Sequence, residues 1–107
     1  MSGLLIKSDL GTLAGGIPES DPILDLIKSV AAGDLGFLLI QRADDEQVYI
    51  QTYLEVDGLC LEHRAGGPNA HFESRGRAIE QVHRAMMSWA RGTSEWGNAV
   101  SWSRLAH

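Results

Sequence analysis

The chain has 107 residues, of which 44% are hydrophobic and 21% charged, and its formal net charge is −5. This length supports one domain, residues 1–107, around one modest core. No apolar run approaches the ~20 residues needed to span a bilayer, and an acidic chain is a poor candidate for gripping phosphates, so neither membrane nor nucleic acid is expected as a direct partner.

Met1 to Gly16 is glycine-rich and apolar, with Leu4, Leu5 and Ile6 as a candidate short strand. Met1 to Ile6 lacks the charged region, long apolar region and cleavage site of a signal peptide. Gly15-Gly16 is followed by no Gly-Lys-Ser/Thr, and the chain has no GxGxxG. Nucleotide binding is therefore not expected, and a turn leading into a helix is. Ser20-Asp21-Pro22 predicts that helix. Ser20 or Asp21 can cap it, and Pro22 suits a first turn whose N–H groups are unpaired. The helix should run from about Pro22 to Ala32, with Ile23, Leu26, Ile27 and Val30 on one face. Asp25, Lys28 and Ser29 point away, and Gly33 is the stop.

Leu35 to Gln41 is a compact apolar run that predicts a strand, turned by Asp44-Asp45-Glu46. Val48 to Val56 alternates, with Val48, Ile50, Thr52, Leu54 and Val56 on one face and Tyr49, Gln51, Tyr53 and Glu55 on the other. Asp57-Gly58 is a favoured two-residue hairpin turn. It would pair Val56 with Leu59, Leu54 with Leu61 and Thr52 with His63 on the core face. Glu55 with Cys60, Tyr53 with Glu62 and Gln51 with Arg64 would pair on the outer face. Apolar then meets apolar and polar meets polar, as a one-sided core requires. The preceding strand places Leu38 and Ile40 on the core face and Phe37 and Leu39 beside Tyr49 and Tyr53.

Ala65 to Asn69 is a further turn, and Ala70 to Glu73 a short fourth strand. A second helix follows, about Arg77 to Arg91, closed by Gly92. Ile79, Val82, Met86 and Ala90 line one of its faces, and Glu80, Gln81, Arg84, Ser88 and Arg91 the opposite one. The tail can add an edge strand through Asn98 to Trp102. The expected fold is α+β: an antiparallel four- to five-stranded meander with two helices packed on one face.

The histidines His63, His71, His83 and His107 form no HxH, HxxxH or HExxH pair, and Cys60 has no CxxC partner. Cys60 and His63 stand three apart on a strand and so face opposite ways. No metal and no cofactor are expected. The single cysteine excludes an internal disulfide and points to a reducing, cytoplasmic setting. Cys60 beside His71 or His63 would suit a nucleophile, but a thiol on a central strand is more often simply packed. His63 and His83 read as partly buried, hydrogen-bonded residues. Glu55, Glu62 and Glu73 can share the outer face, where paired carboxylates could do acid–base work. That face reads as open rather than concave, so a solvated or partner-facing surface fits better.

On the same face Phe37, Leu39, Tyr49 and Tyr53 would form an apolar and aromatic patch, edged by Gln51, Glu55, Glu62 and Arg64. Such a patch is normally covered or used for binding. The tail can fold across it with Trp96 and Trp102, two chains can pair there, or it binds another protein, for which tyrosines with a polar rim are typical. Charge bears on the last reading. Met1 to Glu62 holds 11 acidic and 3 basic residues, and His63 to His107 holds 3 acidic and 6 basic. An acidic surface speeds selective association with a basic partner, although solubility alone also accounts for it.

Several stretches, in order, resemble the first-numbered immunity-protein family of bacterial polymorphic toxin systems. They are Leu13 to Pro18, Gly36 to Arg42, Tyr49 to Leu54, the glycine turn Gly66-Gly67, Ile79 to Arg91, Trp96, and Val100-Ser101-Trp102. In that family a strand of the GFLxLxR kind precedes a YLQV-like strand, an amphipathic helix, a tryptophan and a final V-x-W. The resemblance spans roughly residues 10 to 102, and Ser74 to Arg77 departs from it by being more basic and glycine-interrupted.

The resemblance implies a small α+β inhibitor without catalytic activity. It would bind a cognate toxin made by the same cell, a nuclease or nucleic-acid deaminase, and block its active site or substrate path. Carboxylates would stand in the place of an anionic substrate and steer association. The face assignment, rather than any family motif, nominates the toxin contacts: Asp44, Asp45 and Glu46 at a turn tip, and Tyr49, Gln51, Tyr53, Glu55 and Glu62 on the sheet. Trp96 and Trp102 match family positions and read as tail anchors packing on the body. A monomer or weak homodimer is expected. The alternatives are a small enzyme or ligand-binding domain with a pocket near Cys60, His71 and Glu73, and a homodimeric adaptor.

Overall fold

The computed structural model describes residues 3–16 and 18–104. Met1, Ile17 of the Leu13–Pro18 motif, and His107 lie outside the described residues. Strands β1 (Leu4–Ser8) and β2 (Gly11–Gly15) precede helix α1 (Ser20–Ala31). Strands β3 (Leu38–Arg42), β4 (Asp45–Glu55), β5 (Gly58–Ala65) and β6 (His71–Arg77) follow, with a 3₁₀ turn at Pro68–Ala70 before the last. Helix α2 (Ile79–Arg91), the single turn α3 (Trp96–Ala99) and strand β7 (Ser103–Arg104) complete the chain.

The strands form one antiparallel sheet in the order β2-β1-β3-β4-β5-β6-β7. The architecture is the expected α+β meander, extended at both ends. The glycine-rich N-terminus, where the sequence predicts a turn and at most one short strand, makes the β1–β2 hairpin, and β1 lies against β3. Among the described residues no helix is long and apolar enough to cross a membrane.

The core follows from periodicity. Ile23, Ile27 and Val30 of α1 and Val82, Ala85 and Met86 of α2 are three or four residues apart and buried. They cover the sheet face carrying Leu38, Ile40, Ile50, Thr52 and Leu61, each at 0% exposure. Thr52 is tolerated there because its hydroxyl donates to the Cys60 carbonyl at 2.8 Å. Leu54 and Val56 alternate onto the same side, but the helices stop short of them and both stay exposed.

Helix starts differ from expectation. The N-cap of α1 is Glu19, which makes no side-chain cap bond. Ser20 is spent elsewhere: its hydroxyl lies 3.1 Å from His83 Nε2, which also reaches the Ser20 carbonyl at 3.0 Å. A tie between the two helices thus replaces the local cap. Helix α2 begins at Ile79 rather than Arg77 because β6 runs on past Glu73. Ser88, expected to face outward, is buried; the tail doubles back and the Trp96 N–H donates to its hydroxyl at 2.9 Å.

The central hairpin turns at Val56-Asp57, one residue earlier than expected. Glu55 pairs with Gly58, Leu54 with Leu59, Thr52 with Leu61, Ile50 with His63 and Tyr49 with Arg64. The pairing slips by two residues, so every side chain keeps its predicted face while its partner changes. The reason lies across β5. Gly58 has φ +129, and a Cβ there would stand 3.3 Å from the Cα of Gly76. Strand β6 bulges at this point, with Leu59 opposite Arg77 and Leu61 opposite Ser74.

The tail is not a strand through Asn98 to Trp102. It makes α3 and then pairs Arg104 with Phe72 and Ser103 with Glu73. Its anchor is His63, on the helix side of the sheet. The imidazole stacks on Phe72 at 4.8 Å and meets the edges of Trp96 at 4.6 Å and Trp102 at 4.5 Å. Trp102 Nε1–H donates to the Trp96 carbonyl at 3.1 Å.

Burial, assisted by His71, lowers the His63 pKa from 6.5 to about 4. The unfolded chain therefore takes up a proton at a pH where the folded chain refuses it. Stability should be complete above pH 6.5 and fall as the pH drops towards about 4, by up to about 3 kcal/mol. Urea unfolding across that range should show the loss, and His63→Phe should remove this part of the slope. An unchanged slope would assign the acid sensitivity to other groups.

Candidate functional site

The second face of the sheet is set by the residues between the buried ones. Register places Leu39, Gln51, Glu62 and Glu73 in one row across β3 to β6, and Gln41, Tyr49, Arg64 and His71 in the next. Tyr53 opposite Cys60 and Glu55 opposite Gly58 continue towards the β4–β5 turn. Trp96 and Trp102 pack with the helix-side core, so the described part of the tail, to residue 104, does not fold over the tyrosines. Phe37, expected beside them, precedes β3 and is half-buried.

This face is organised rather than loosely solvated. Cys60 is 0% exposed, His71 4% and Glu62 9%. Glu62 accepts the Tyr53 O–H on one oxygen and the His71 Nε2–H on the other, the latter at 2.6 Å. Arg64 donates through Nε to His71 Nδ1 at 3.0 Å and through Nη1 to Gln47 Oε1 at 2.7 Å. Because a guanidinium only donates, Nδ1 must accept, which assigns the imidazole proton to Nε2. The Arg64 guanidinium also lies 5.7 Å from the centre of the Tyr49 ring, and Tyr49 meets His71 edge-on at 6.0 Å.

Protonation follows from this packing. Burial raises the Tyr53 pKa, and its hydrogen bonds with Cys60 and Glu62 add to the effect. Burial raises that of Tyr49 against the pull of Arg64. Burial also raises the Cys60 thiol, and the Glu62, Glu55 and Glu73 charges work in the same direction, while the Tyr53 hydrogen bond opposes them. The Tyr53 phenol acts as a donor and the thiol stays protonated, the opposite of an activated nucleophile. Cys60, His71 and Glu73 do share this face. Cys60, however, is enclosed, both ring nitrogens of His71 are engaged, and Glu73 bonds Arg75 at 3.3 Å. Two clefts lie beside the helices. One of about 310 Å³ is lined by Ser20, His83 and Arg84, another of about 230 Å³ by Ile6, Leu13 and Ile23.

The structure brings Tyr49, Gln51, Tyr53, Glu55 and Glu62 onto one surface, all half-buried except the nearly enclosed Glu62. Asp44, Asp45 and Glu46 are exposed at the β3–β4 end of that surface, nearest the Tyr49 row. Only Asp44 lies in the turn, since β4 starts at Asp45. Asp44 pairs with Arg42 through two bonds of 3.1 Å, and Asp45 accepts the Gln47 N–H at 2.9 Å. Glu55 lies at the far end, 3.5 Å from Arg75. Sequence reasoning did not join Gln47, Arg64 and His71 into the network. The available signal was parity: once Arg64 opposes His71 across the Gly66–Ala70 loop, the ring must sit beside Glu62.

Comparisons with protein-family models, with curated proteins and with solved structures find no match.

Removing Glu62 strands two donors. Glu62→Ala is expected to cost about 2 kcal/mol, and Tyr53→Phe about 1 kcal/mol. The double variant should lose less than the sum, because both changes break one shared bond. Urea midpoints measure all three, and strict additivity would show that the Tyr53–Glu62 bond contributes nothing.

Proposed function

We propose that this protein is an immunity protein that binds a toxin made by the same cell and occludes its active site or substrate path. The observation that carries the reading is the outer sheet face, where Tyr53 is hydrogen-bonded into a buried polar network, Tyr49 packs on its Arg64 and His71, and neither is covered by the helices or tail among the described residues. Ordered aromatic side chains bind at low entropic cost, since little freedom remains to be lost. A face held rigid by its own hydrogen bonds, with its thiol buried and both ring nitrogens of His71 engaged, suits recognition better than turnover.

The toxin class is the one the family resemblance implies, and charge suits it. A nuclease or nucleic-acid deaminase has a basic site for phosphates, and a chain of net charge −5 with an exposed Asp44-Asp45-Glu46 tip complements it. Binding then needs no cofactor and no contact with nucleic acid. It takes place in the cytoplasm, between one monomer and the toxin.

Co-expression with the toxin encoded beside this gene is the direct test. Growth should be restored by the intact chain and lost with Tyr49→Ala and Tyr53→Ala combined, which should weaken binding by about tenfold or more. Survival no better than with an empty vector would overturn the reading for that toxin. Reversal of Asp44, Asp45 and Glu46 to lysine should slow association and flatten its salt dependence in stopped-flow measurements. An unaltered association rate would leave the acidic tip as plain solvated surface.

A further inference from the structure

The cleft of about 310 Å³ lies between the start of α1, one side of α2 and the segment that follows α2. Helix α2 lines it with His83, Arg84, Ser88 and Arg91, and Ser20 and Thr93 continue the wall. Its shape is held from within, because His83 is tied to Ser20 and the Ser88 hydroxyl lies 2.6 Å from that of Thr93. The two arginines are not tied. Arg42, Arg64, Arg75 and Arg77 each donate a hydrogen bond. Arg84 and Arg91 make neither a hydrogen bond nor an ion pair among the described residues. Glu80 stands four residues before Arg84 on α2, the spacing that favours an ion pair, yet Arg84 lines the cleft unpaired. Glu95 lines the same cleft and leaves Arg91 unpaired too. In a chain with more carboxylates than cations, two arginines kept free in one cleft are available to an outside anion.

We propose that this cleft binds a phosphate monoester with a hydroxylated body. A phosphate carries close to two negative charges near neutral pH. Arg84 and Arg91, about 10 Å apart along the helix axis, offer it two planar forks of donors. The Ser20 carbonyl only accepts, so His83 Nε2 donates. The Ser20 hydroxyl accepts that same N–H and keeps its own proton to give to the phosphate. His83 Nδ1 and the Glu95 carboxylate remain as acceptors for hydroxyl groups of the body. A lone carboxylate ligand would leave one arginine unmatched. The volume stands at the lower end of small-molecule pockets, enough for a phosphate on a short carbon chain or ring. The cleft lies among the helices, across the sheet from the tyrosines, so the inference goes beyond the toxin reading and stands or falls apart from it.

The test titrates ribose 5-phosphate into isotope-labelled full-length protein at about 0.15 M salt, where loose surface attraction is screened. Ribose and inorganic phosphate are the controls. Amide shifts should concentrate at Ser20, Arg84, Arg91 and Thr93, be absent with ribose, and saturate well before those with inorganic phosphate. Arg84→Gln and Arg91→Gln should each weaken binding by about tenfold, the loss expected of one charged hydrogen-bonded contact. Neither should move the urea midpoint, because neither side chain has a partner to lose. Shifts of equal size at Lys7, Lys28 and Arg104, or an affinity untouched by both glutamine variants, would overturn the site. Inorganic phosphate binding as tightly as ribose 5-phosphate would reduce the cleft to adventitious anion binding and overturn the proposal.

Discussion

Glu62 is nearly buried on a sheet face that no helix covers, and a carboxylate persists in such a place only when its neighbours supply the hydrogen bonds that water would. Tyr53 and His71 supply them, and Arg64 in turn holds His71. That chain of donors spans three strands and reaches back to Gln47 at the start of β4. The position of Tyr53 and the imidazole tautomer follow from one satisfied carboxylate, whose hydrogen bond adds to burial in raising the Tyr53 pKa.

The opposite face is settled by different physics. Alternation on β4 and β5 presents an apolar surface, and two amphipathic helices bury most of it. At the β6 margin, where the helices run out, the tail closes the gap with tryptophans against His63. The imidazole serves there as an aromatic plate, and its lowered pKa is the consequence of being used in that way. A basic group hidden under a tail and an acidic group held on an open face make the sheet asymmetric. One side is covered by the helices, and the other is not.

Much of this was legible beforehand. The face of every residue from Val48 to Arg64 follows from period-two alternation, and it survived a two-residue error in pairing because such a slip preserves parity. The apolar stripes of α1 and α2 and the glycine stops at Gly33 and Gly92 follow from local chemistry in the same way. The β1–β2 hairpin was illegible because the four glycines and scattered leucines of residues 1–16 lack a period, and its pairing depends on the waiting edge of β3. The Ser20 cap failed because a histidine 63 positions away offered a competing bond.

For the candidate site the division is similar. The sequence by itself determined that Tyr49, Gln51, Tyr53, Glu55 and Glu62 share one face of a strand pair, since backbone geometry alone sends alternate side chains to opposite sides. Only the tertiary structure decided that His71, held by Arg64, would bond Glu62, that Glu73 would oppose it, and that the tryptophan tail would choose the helix side. Those outcomes depend on the β5–β6 register and on where the helices leave apolar surface unfilled, both of which arise between segments distant in the chain and are written in none of them singly.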